Sequence, residues 1–271
     1  MKKIIVFTLT FISVFILAQK VDNALQGYYK VKGEGSLYGS FNFDGNGKVL
    51  IGEMAHGDYF TRNDSLIIFP DKDIFIFKIK GNKLYGISTW VEKEVWELNK
   101  DTASVNNRKN PEASRKKAEL LAQYYDKKKD QGDLAALFDT DFVSFNTELC
   151  NKGLAKSCMD VFGAKMLEVT PGLLSGKDLS KKNIKPHPEL LALAQKVIDL
   201  DEPEGHTILG SYLYVIGQTE NAEKEWDKAI EKGSRRAAQA RALIEFQTDL
   251  NENKNNKRSK FCSFYLLCET S

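Results

Sequence analysis

Apolar and polar residues follow two different rhythms along this chain. From Gly27 to Leu98, short runs rich in Tyr, Phe, Ile and Val are separated by turn residues, a pattern typical of an all-β region. From Pro111 to Leu250, apolar residues recur instead at the spacing of helices. The composition changes once, near Lys100. We therefore predict an α+β fold with two domains.

The first region predicts short strands that are joined in sequence order. Its strongest hairpin signal is the segment Asp44-Gly45-Asn46-Gly47. Apolar runs bounded by turn residues place strands at 27–32, 38–43, 48–53, 58–62, 65–69, 73–80, 83–89 and 94–98. Because such short strands are connected by tight turns, we expect an antiparallel β-meander that forms a small barrel or sandwich.

The second region predicts an array of helices. The segment Asn110-Pro111-Glu112 is typical of a helix start, with a capping side chain, a proline in the first turn and an early acidic residue. Helical periodicity then places helices near 111–129, 133–150, 154–168, 188–200, 203–216, 219–232 and 234–250. The connection over 169–187 is unusually long for a compact domain.

These patterns also set the expected domain boundaries. We expect a signal peptide at 1–19, a small all-β domain at 20–99, a polar linker at 100–110, a helical repeat domain at 111–250 and a tail at 251–271.

The N-terminus has the layout of a secretory signal. Lys2 and Lys3 precede an apolar run from Ile4 to Leu17, and the small residue Ala18 follows. We therefore expect cleavage nearby and export from a bacterial cell, to the periplasm or the extracellular space. A retained anchor is the alternative. The run is shorter than the roughly 20 residues of a comfortable membrane span, so we expect no stable membrane insertion after cleavage.

The charge balance argues against a nucleic-acid partner. Removing residues 1–18 takes away two lysines, which leaves 37 of the 39 basic residues against 37 acidic ones. Proteins that bind nucleic acids normally carry a strong basic excess. We therefore expect a partner of another class.

Four cysteines in an exported chain are expected to be oxidised. They allow three pairings, and their spacing favours the two local ones. Cys150 and Cys158 flank a turn signal between two helical patterns, so a bridge there would close the end of an antiparallel helix pair. Cys262 and Cys268 lie in a short apolar tail and form the second possible pair.

Residues 203–237 resemble a tetratricopeptide or Sel1-like repeat. The residues that carry the resemblance are Leu209, Gly210, Gly217, Ala222, Trp226, Ala229 and Gly233. The resemblance implies a closely packed helix pair, with Trp226 filling the gap towards the neighbouring repeat. Such repeats stack into arrays, and here we expect about three irregular helix pairs.

The same resemblance implies a concave groove that binds a protein or peptide partner. Its candidate lining residues lie on the first helix of the unit and are His206, Tyr212 and Tyr214. The stretch from Leu149 to Cys158 looks like the cysteine-rich secreted branch of the Sel1-like family, whose paired cysteines carry the same gap. In the first domain, Leu25-Gln26-Gly27-Tyr28-Tyr29 is similar to the first strand of bacterial lipocalin-like domains.

The sequence carries no recognised pattern of catalytic, cofactor-binding or metal-binding residues. Ser114-Arg115-Lys116-Lys117 formally matches the serine–lysine pattern of penicillin-binding enzymes, but the companion motifs of that class are missing. We therefore predict a non-enzymatic interaction protein of the cell envelope. The alternatives are a carrier that holds a small apolar ligand in the β-domain, and an envelope hydrolase or β-lactam-binding protein.

Overall fold

A computed structural model describes most of the chain as a β-barrel joined to a helical array. It describes residues 20–33, 36–52, 55–70, 73–99, 110–129, 136, 138–170 and 185–252. The expected signal segment, most of the linker at 100–110, most of the 169–187 connection, and Cys262 and Cys268 lie outside the described residues.

The first part of the described chain contains nine strands. They are β1 Val21–Asp22, β2 Gln26–Val31, β3 Ser40–Asp44, β4 Lys48–Ile51, β5 Ala55–Arg62, β6 Ser65–Phe69, β7 Phe75–Lys80, β8 Lys83–Gly86 and β9 Val95–Leu98. The eight predicted strands are thereby confirmed. The two-residue strand β1 was not predicted, because it is too short to show an alternating pattern.

The strands β2 to β9 form a closed antiparallel barrel. Each pairs with its neighbour in sequence order, and β2 pairs with β9, with Val31 opposite Trp96, to complete the ring. The short strand β1 lies outside this ring and pairs with the end of β5, with Val21 opposite Arg62. Of the two predicted architectures, a barrel or a sandwich, the chain therefore adopts the barrel.

Aromatic side chains fill the interior of this barrel. Phe41, Phe77 and Trp96 are fully buried, and the Trp96 ring centroid lies 5.3 Å from the centroids of both phenylalanines, in edge-to-face arrangements. Phe43 and Phe75 are buried in the same cluster. Such contacts add to the stabilisation that apolar burial provides. The centre of the barrel is therefore a packed core.

The second part contains seven helices in the described residues. They are α1 Pro111–Lys128, α2 Thr140–Asn151, α3 Ala155–Val169, α4 Pro188–Asp199, α5 Glu204–Val215, α6 Thr219–Glu231 and α7 Arg235–Glu252. All seven predicted helices are confirmed. Within the predicted 133–150, the described residues 136 and 138 are also helical, and α2 begins anew after Asp139. The Asp139 carboxylate caps this start by accepting hydrogen bonds from the N–H groups of Asp141 and Phe142. Among the described residues, no helix combines the length and the hydropathy needed to cross a membrane.

Consecutive helices of the array are joined by similar tight turns. After α5 and α6, Gly217 and Gly233 take positive φ values of 87° and 91°, which glycine adopts without strain. After α4 the same position is held by Asp201 with φ of 58°, and the next residue, Glu202, donates its N–H to the Val197 carbonyl. Aspartate tolerates this conformation better than most residues, so the turn forms without a glycine signal.

The barrel and the first helices share one hydrophobic core. Phe60 and Phe69 point outward from β5 and β6 and are buried against α1 and α2. The ring centroids of Phe69 and Tyr124 lie 5.7 Å apart, and Phe142 packs beyond them. The predicted β-domain and helical domain are therefore packed against each other through apolar side chains.

Candidate functional site

A cluster of four charged residues ties the barrel to two separate parts of the helical array. We call it the junction cluster; its members are Lys48 on β4, Asp58 on β5, Lys117 on α1 and Glu202 in the α4–α5 turn. The Asp58 Oδ1 atom lies 3.1 Å from the Lys48 ammonium and 3.0 Å from that of Lys117. Lys48 also donates to both oxygens of Glu202 at 2.7 Å, and Lys117 Nζ lies 3.2 Å from Glu202 Oε1.

The electrostatics of the junction cluster fix its charges. Burial by itself would raise the pKa of the Asp58 carboxyl, but the ammonium groups of Lys48 and Lys117 outweigh it and hold that pKa well below its ordinary range. Burial would lower the pKa of Lys48, and its two carboxylate neighbours reverse that effect and raise it. Asp58 and Lys48 therefore keep their charges near neutral pH, which suits a fixed ionic contact better than proton transfer.

Beside this cluster, Lys156 is held against aromatic rings. Its ammonium nitrogen lies 5.6 Å from the Phe69 ring centroid and 5.8 Å from that of Tyr124. Burial lowers the pKa of Lys156, while the nearby Asp160 carboxylate acts in the opposite direction. The Tyr124 hydroxyl donates to Asp160 at 2.8 Å. Lys156 and Asp160 on α3 thus link that helix to β6 and α1, which makes this a second polar contact between the barrel and the helices.

The predicted groove residues lie in the packing between helices. Tyr212 is buried, with its ring 6.2 Å from that of Phe162, and its hydroxyl accepts a hydrogen bond of 2.7 Å from the His187 N–H. Tyr214 is partly buried, with its ring 5.8 Å from Trp226. Because α5 lies between α4 and α6, these faces are covered by neighbouring helices.

His206, the third groove candidate, is held by a carboxylate. The imidazole Nδ1 lies 2.8 Å from Glu225 on α6, and Lys228 donates to the other oxygen of that carboxylate at 2.6 Å. Burial would raise the pKa of Glu225, but these hydrogen bonds outweigh it and lower that pKa. His206 is 9% exposed, so it too packs between helices rather than lining an open face.

Trp226 packs against Gly210 within its own helix pair. It also belongs to the core cluster that contains Ala237 and Ala240 of α7, so its expected role towards a neighbouring repeat stays a prediction. A Cβ at Gly210 would lie 2.7 Å from the indole Cδ1 and Nε1 atoms and 3.0 Å from the Ala222 carbonyl oxygen. The small residues at 210 and 222 therefore act as expected, by letting α5 and α6 approach closely.

No protein-family model, curated protein or solved structure matches this chain. The resemblance to Sel1-like and tetratricopeptide repeats therefore rests on the residues of 203–237 themselves. Within the described ranges, His, Cys, Asp and Glu side chains form no group of three or more that could hold a metal ion.

An open depression does exist on the outer surface of α5 and α6. It has a volume of about 450 Å³, and its lining residues are Leu213, Asn221, Lys224, Glu225, Asp227 and Lys228. We call it the α5–α6 depression. Sequence reasoning missed it, because a run of alternating charges on a helix is typical of a solvated face. The periodicity alone gave no signal that these charges border an apolar residue.

The predicted pairing of Cys150 with Cys158 is present. Their sulfur atoms are 2.13 Å apart, and the bridge joins the end of α2 to the start of α3. We expect the Cys150→Ser/Cys158→Ser variant to lose about 2.5 kcal/mol of unfolding free energy. The bridge lowers the conformational entropy of the unfolded chain, and the short loop that it closes keeps this effect modest. Urea unfolding with and without reductant measures the loss. Reductant should destabilise the wild type by about 2.5 kcal/mol more than the variant, in which only a Cys262–Cys268 bridge could respond; equal sensitivity of both would contradict the prediction.

Proposed function

We propose that this chain is an exported, non-enzymatic interaction protein whose helical array binds a protein or peptide partner in the cell envelope. The observation that carries the proposal is the α5–α6 depression, which lies on the one helix pair with the spacing of a repeat family of partner-binding proteins. Export is supported by the signal-like N-terminus and by the bridge between Cys150 and Cys158, since such bridges persist in oxidising compartments.

The lining of the depression suggests the chemistry of the partner. Leu213 supplies an apolar floor, while Lys224 and Asp227 stand exposed around it. Asp227 is already paired with Arg241 at 2.6 Å, and the Lys228 ammonium is paired with Glu225. Lys224 is therefore the best placed cation for a partner, and an apolar side chain next to a carboxylate would fit this surface.

The packed barrel favours this proposal over the carriage of a small apolar ligand. A barrel of eight strands can hold one small ligand only when its interior is left open. Here Phe41, Phe77 and Trp96 occupy that space with close ring contacts. A ligand would have to displace them and break those contacts.

Site-specific photo-crosslinking tests the proposal on the full chain. Deleting the helices would uncover Phe60 and Phe69 on the barrel, so a truncated form is a poor control. A photoreactive amino acid at Asn221 should capture a discrete partner in the native envelope, whereas the same group at Lys116, on the exposed face of α1, should not.

The substitution Lys224→Glu should reduce the capture from position 221 at least about threefold, because it places a negative charge where the partner carboxylate would lie. The matched control is Lys116→Glu, which should leave that capture unchanged. Quantitative blotting of the crosslinked species measures both. Equal capture from positions 221 and 116, or no effect of Lys224→Glu, would contradict the proposal.

A further inference from the structure

Three large apolar side chains are exposed together at one end of the barrel. Leu37 is 71% exposed in the β2–β3 loop, and Ile87 and Trp90 are each 53% exposed in the β8–β9 loop. The loops are neighbours, because they continue the paired strands β2 and β9. We call these three residues the mouth patch. Large apolar groups clustered in this way mark an interaction surface more often than isolated ones do.

Two contacts of the described loop residues orient the mouth patch. Val91 is buried next to the exposed Trp90, and a Cβ at Gly86 would lie only 1.7 Å from the Val91 carbonyl oxygen. The Ser36 hydroxyl donates to the Glu94 carboxylate at 2.5 Å, which links one loop to the other. The outward direction of Trp90 is therefore set by the inward packing of Val91.

We propose that the mouth patch docks reversibly on a phospholipid bilayer, with Leu37, Ile87 and Trp90 inserted at the interfacial level. The high exposure of all three residues means that they protrude, as side chains that enter lipid must. A stable protein interface usually needs about 20 to 30 residues a side, which three residues at two loop tips do not supply. Tryptophan suits the interface, because its ring is apolar and its N–H is polar.

Charges of both signs surround the mouth patch. Lys32 is exposed at the rim, and Lys93 is 86% exposed, so both ammonium groups can reach phosphates. Among the described residues, the acidic groups nearby are Glu92, which lies 3.6 Å from Lys93, together with Glu94 and the exposed Asp73. Because the rim carries both signs, we expect insertion rather than net charge to drive binding, with little dependence on salt.

The position of the patch leaves room for a membrane. In the ring of strands, β2 and β9 lie across the barrel from β5 and β6. The helices pack on that opposite side, through Phe60 and Phe69. A bilayer at the mouth patch would therefore lie away from the helical array and the α5–α6 depression.

Fluorescence of the full chain tests the proposal directly. Of its three tryptophans, Trp96 and Trp226 are buried, so Trp90 is the one that responds to a new environment. Vesicles of phosphatidylcholine and phosphatidylethanolamine should shift the emission to shorter wavelength and should carry the protein in co-sedimentation. Brominated acyl chains in those vesicles should quench Trp90. Raising the salt from about 0.1 M to about 0.5 M should change the affinity less than about twofold.

The variant Leu37→Ser/Ile87→Ser keeps the Trp90 reporter and should weaken vesicle binding at least about tenfold. The matched control is Leu243→Ser, an exposed leucine on α7, which should bind as the wild type does. Both variants should keep the buried-tryptophan emission of Trp96 and Trp226 in buffer. Absence of a vesicle-induced shift in the wild type, or equal binding by the double variant, would overturn the proposal. Protection of Trp90 by a protein partner without any vesicle binding would overturn it too.

Discussion

Replacing Asp58 with asparagine should lower the free energy of unfolding by about 2 kcal/mol at pH 7. Asp58 is the carboxylate that both Lys48 and Lys117 approach, at 3.1 and 3.0 Å. Without it, two ammonium groups share Glu202 alone. Breaking a fully buried ion pair costs more than this, but here both lysines are partly exposed to water, which screens the effect.

Trp96 and Trp226 are both buried, and together they can show which part of the fold Asp58→Asn destabilises. Trp96 reports on the barrel and Trp226 on the helical array, so the chain can be labelled with fluorotryptophan and the fluorine resonances of the two residues followed separately during urea unfolding, without replacing either. In the wild type, the two probes should report the same midpoint. In Asp58→Asn they should report lower midpoints, and any separation between them would show weaker coupling of the two parts.

The control for this experiment is Asp64→Asn. Asp64 is a more exposed barrel aspartate that pairs with Lys78, so its replacement should change the midpoint little. An unchanged midpoint for Asp58→Asn, or equal losses in the two variants, would contradict a stabilising role for the junction cluster.

The same variant gives a signed dependence on pH. Because the folded-state pKa of Asp58 is depressed, its contribution is fully present above the unfolded carboxyl pKa of about 4. The contribution is lost as the pH falls from there towards the folded-state pKa. The stability difference between wild type and Asp58→Asn should therefore be constant from about pH 5 to pH 7 and should shrink below about pH 4. Urea titrations at several pH values measure it.

Replacing Trp226 with alanine should cost about 4 kcal/mol of unfolding free energy. Trp226 is buried in the core of the helical array, and its indole fills the space that Gly210 leaves open on α5. Removing it leaves a cavity that two closely packed helices cannot fully close. Chemical unfolding followed by circular dichroism at the helical wavelengths measures the loss.

A double-mutant cycle makes this prediction specific. In the wild type, Gly210→Ala should destabilise by about 1 to 3 kcal/mol, since the new methyl group would lie 2.7 Å from the indole. In the Trp226→Ala background the same change should cost much less, because only the approach of 3.0 Å to the Ala222 carbonyl oxygen remains and alanine favours a helix by up to about 1 kcal/mol over glycine. Additive effects would refute the packing described for this helix pair.

Periodicity was sufficient to predict most of the secondary structure. The run from Ile74 to Lys80 gave a strand, and the segment from Glu204 to Glu231 gave two helices, because each element buries one face. The turn at Asp201 carries no glycine, and β1 has only two residues. Secondary structure is therefore hardest to predict from local sequence where a single residue forms a turn, as Asp201 does, or where a single strand pairing forms a strand, as in β1.

One strand of the barrel does carry a sequence pattern that indicates cover by helices. Leu66 to Phe69 is a continuous apolar run, in which Leu66 and Ile68 face the barrel core while Ile67 and Phe69 face outward towards α1 and α2. A strand without alternation is typical of burial on both faces. The apolar run from Leu66 to Phe69 does not itself indicate which helices pack on its outer face.

The junction cluster could not be predicted, for a different reason. Lys48, Asp58, Lys117 and Glu202 are polar positions on four separate elements, and each is ordinary on its own. Only the tertiary fold brings Glu202 within 2.7 Å of Lys48. The burial of the groove candidates could not be predicted for a related reason, because the repeat frame fixes which residues share a helix but not which neighbour covers them.

The outward-facing aromatic strip on β5 and β6 has a consequence for how the chain is made. Synthesis runs from the N-terminus, so the barrel strands are complete when Leu98 has been added, well before α1 and α2 exist. During that interval α1 and α2 do not yet cover Phe60 and Phe69, which form an exposed apolar surface on the barrel that favours aggregation. A newborn chain must therefore be shielded, or kept unfolded, until Phe142 has emerged.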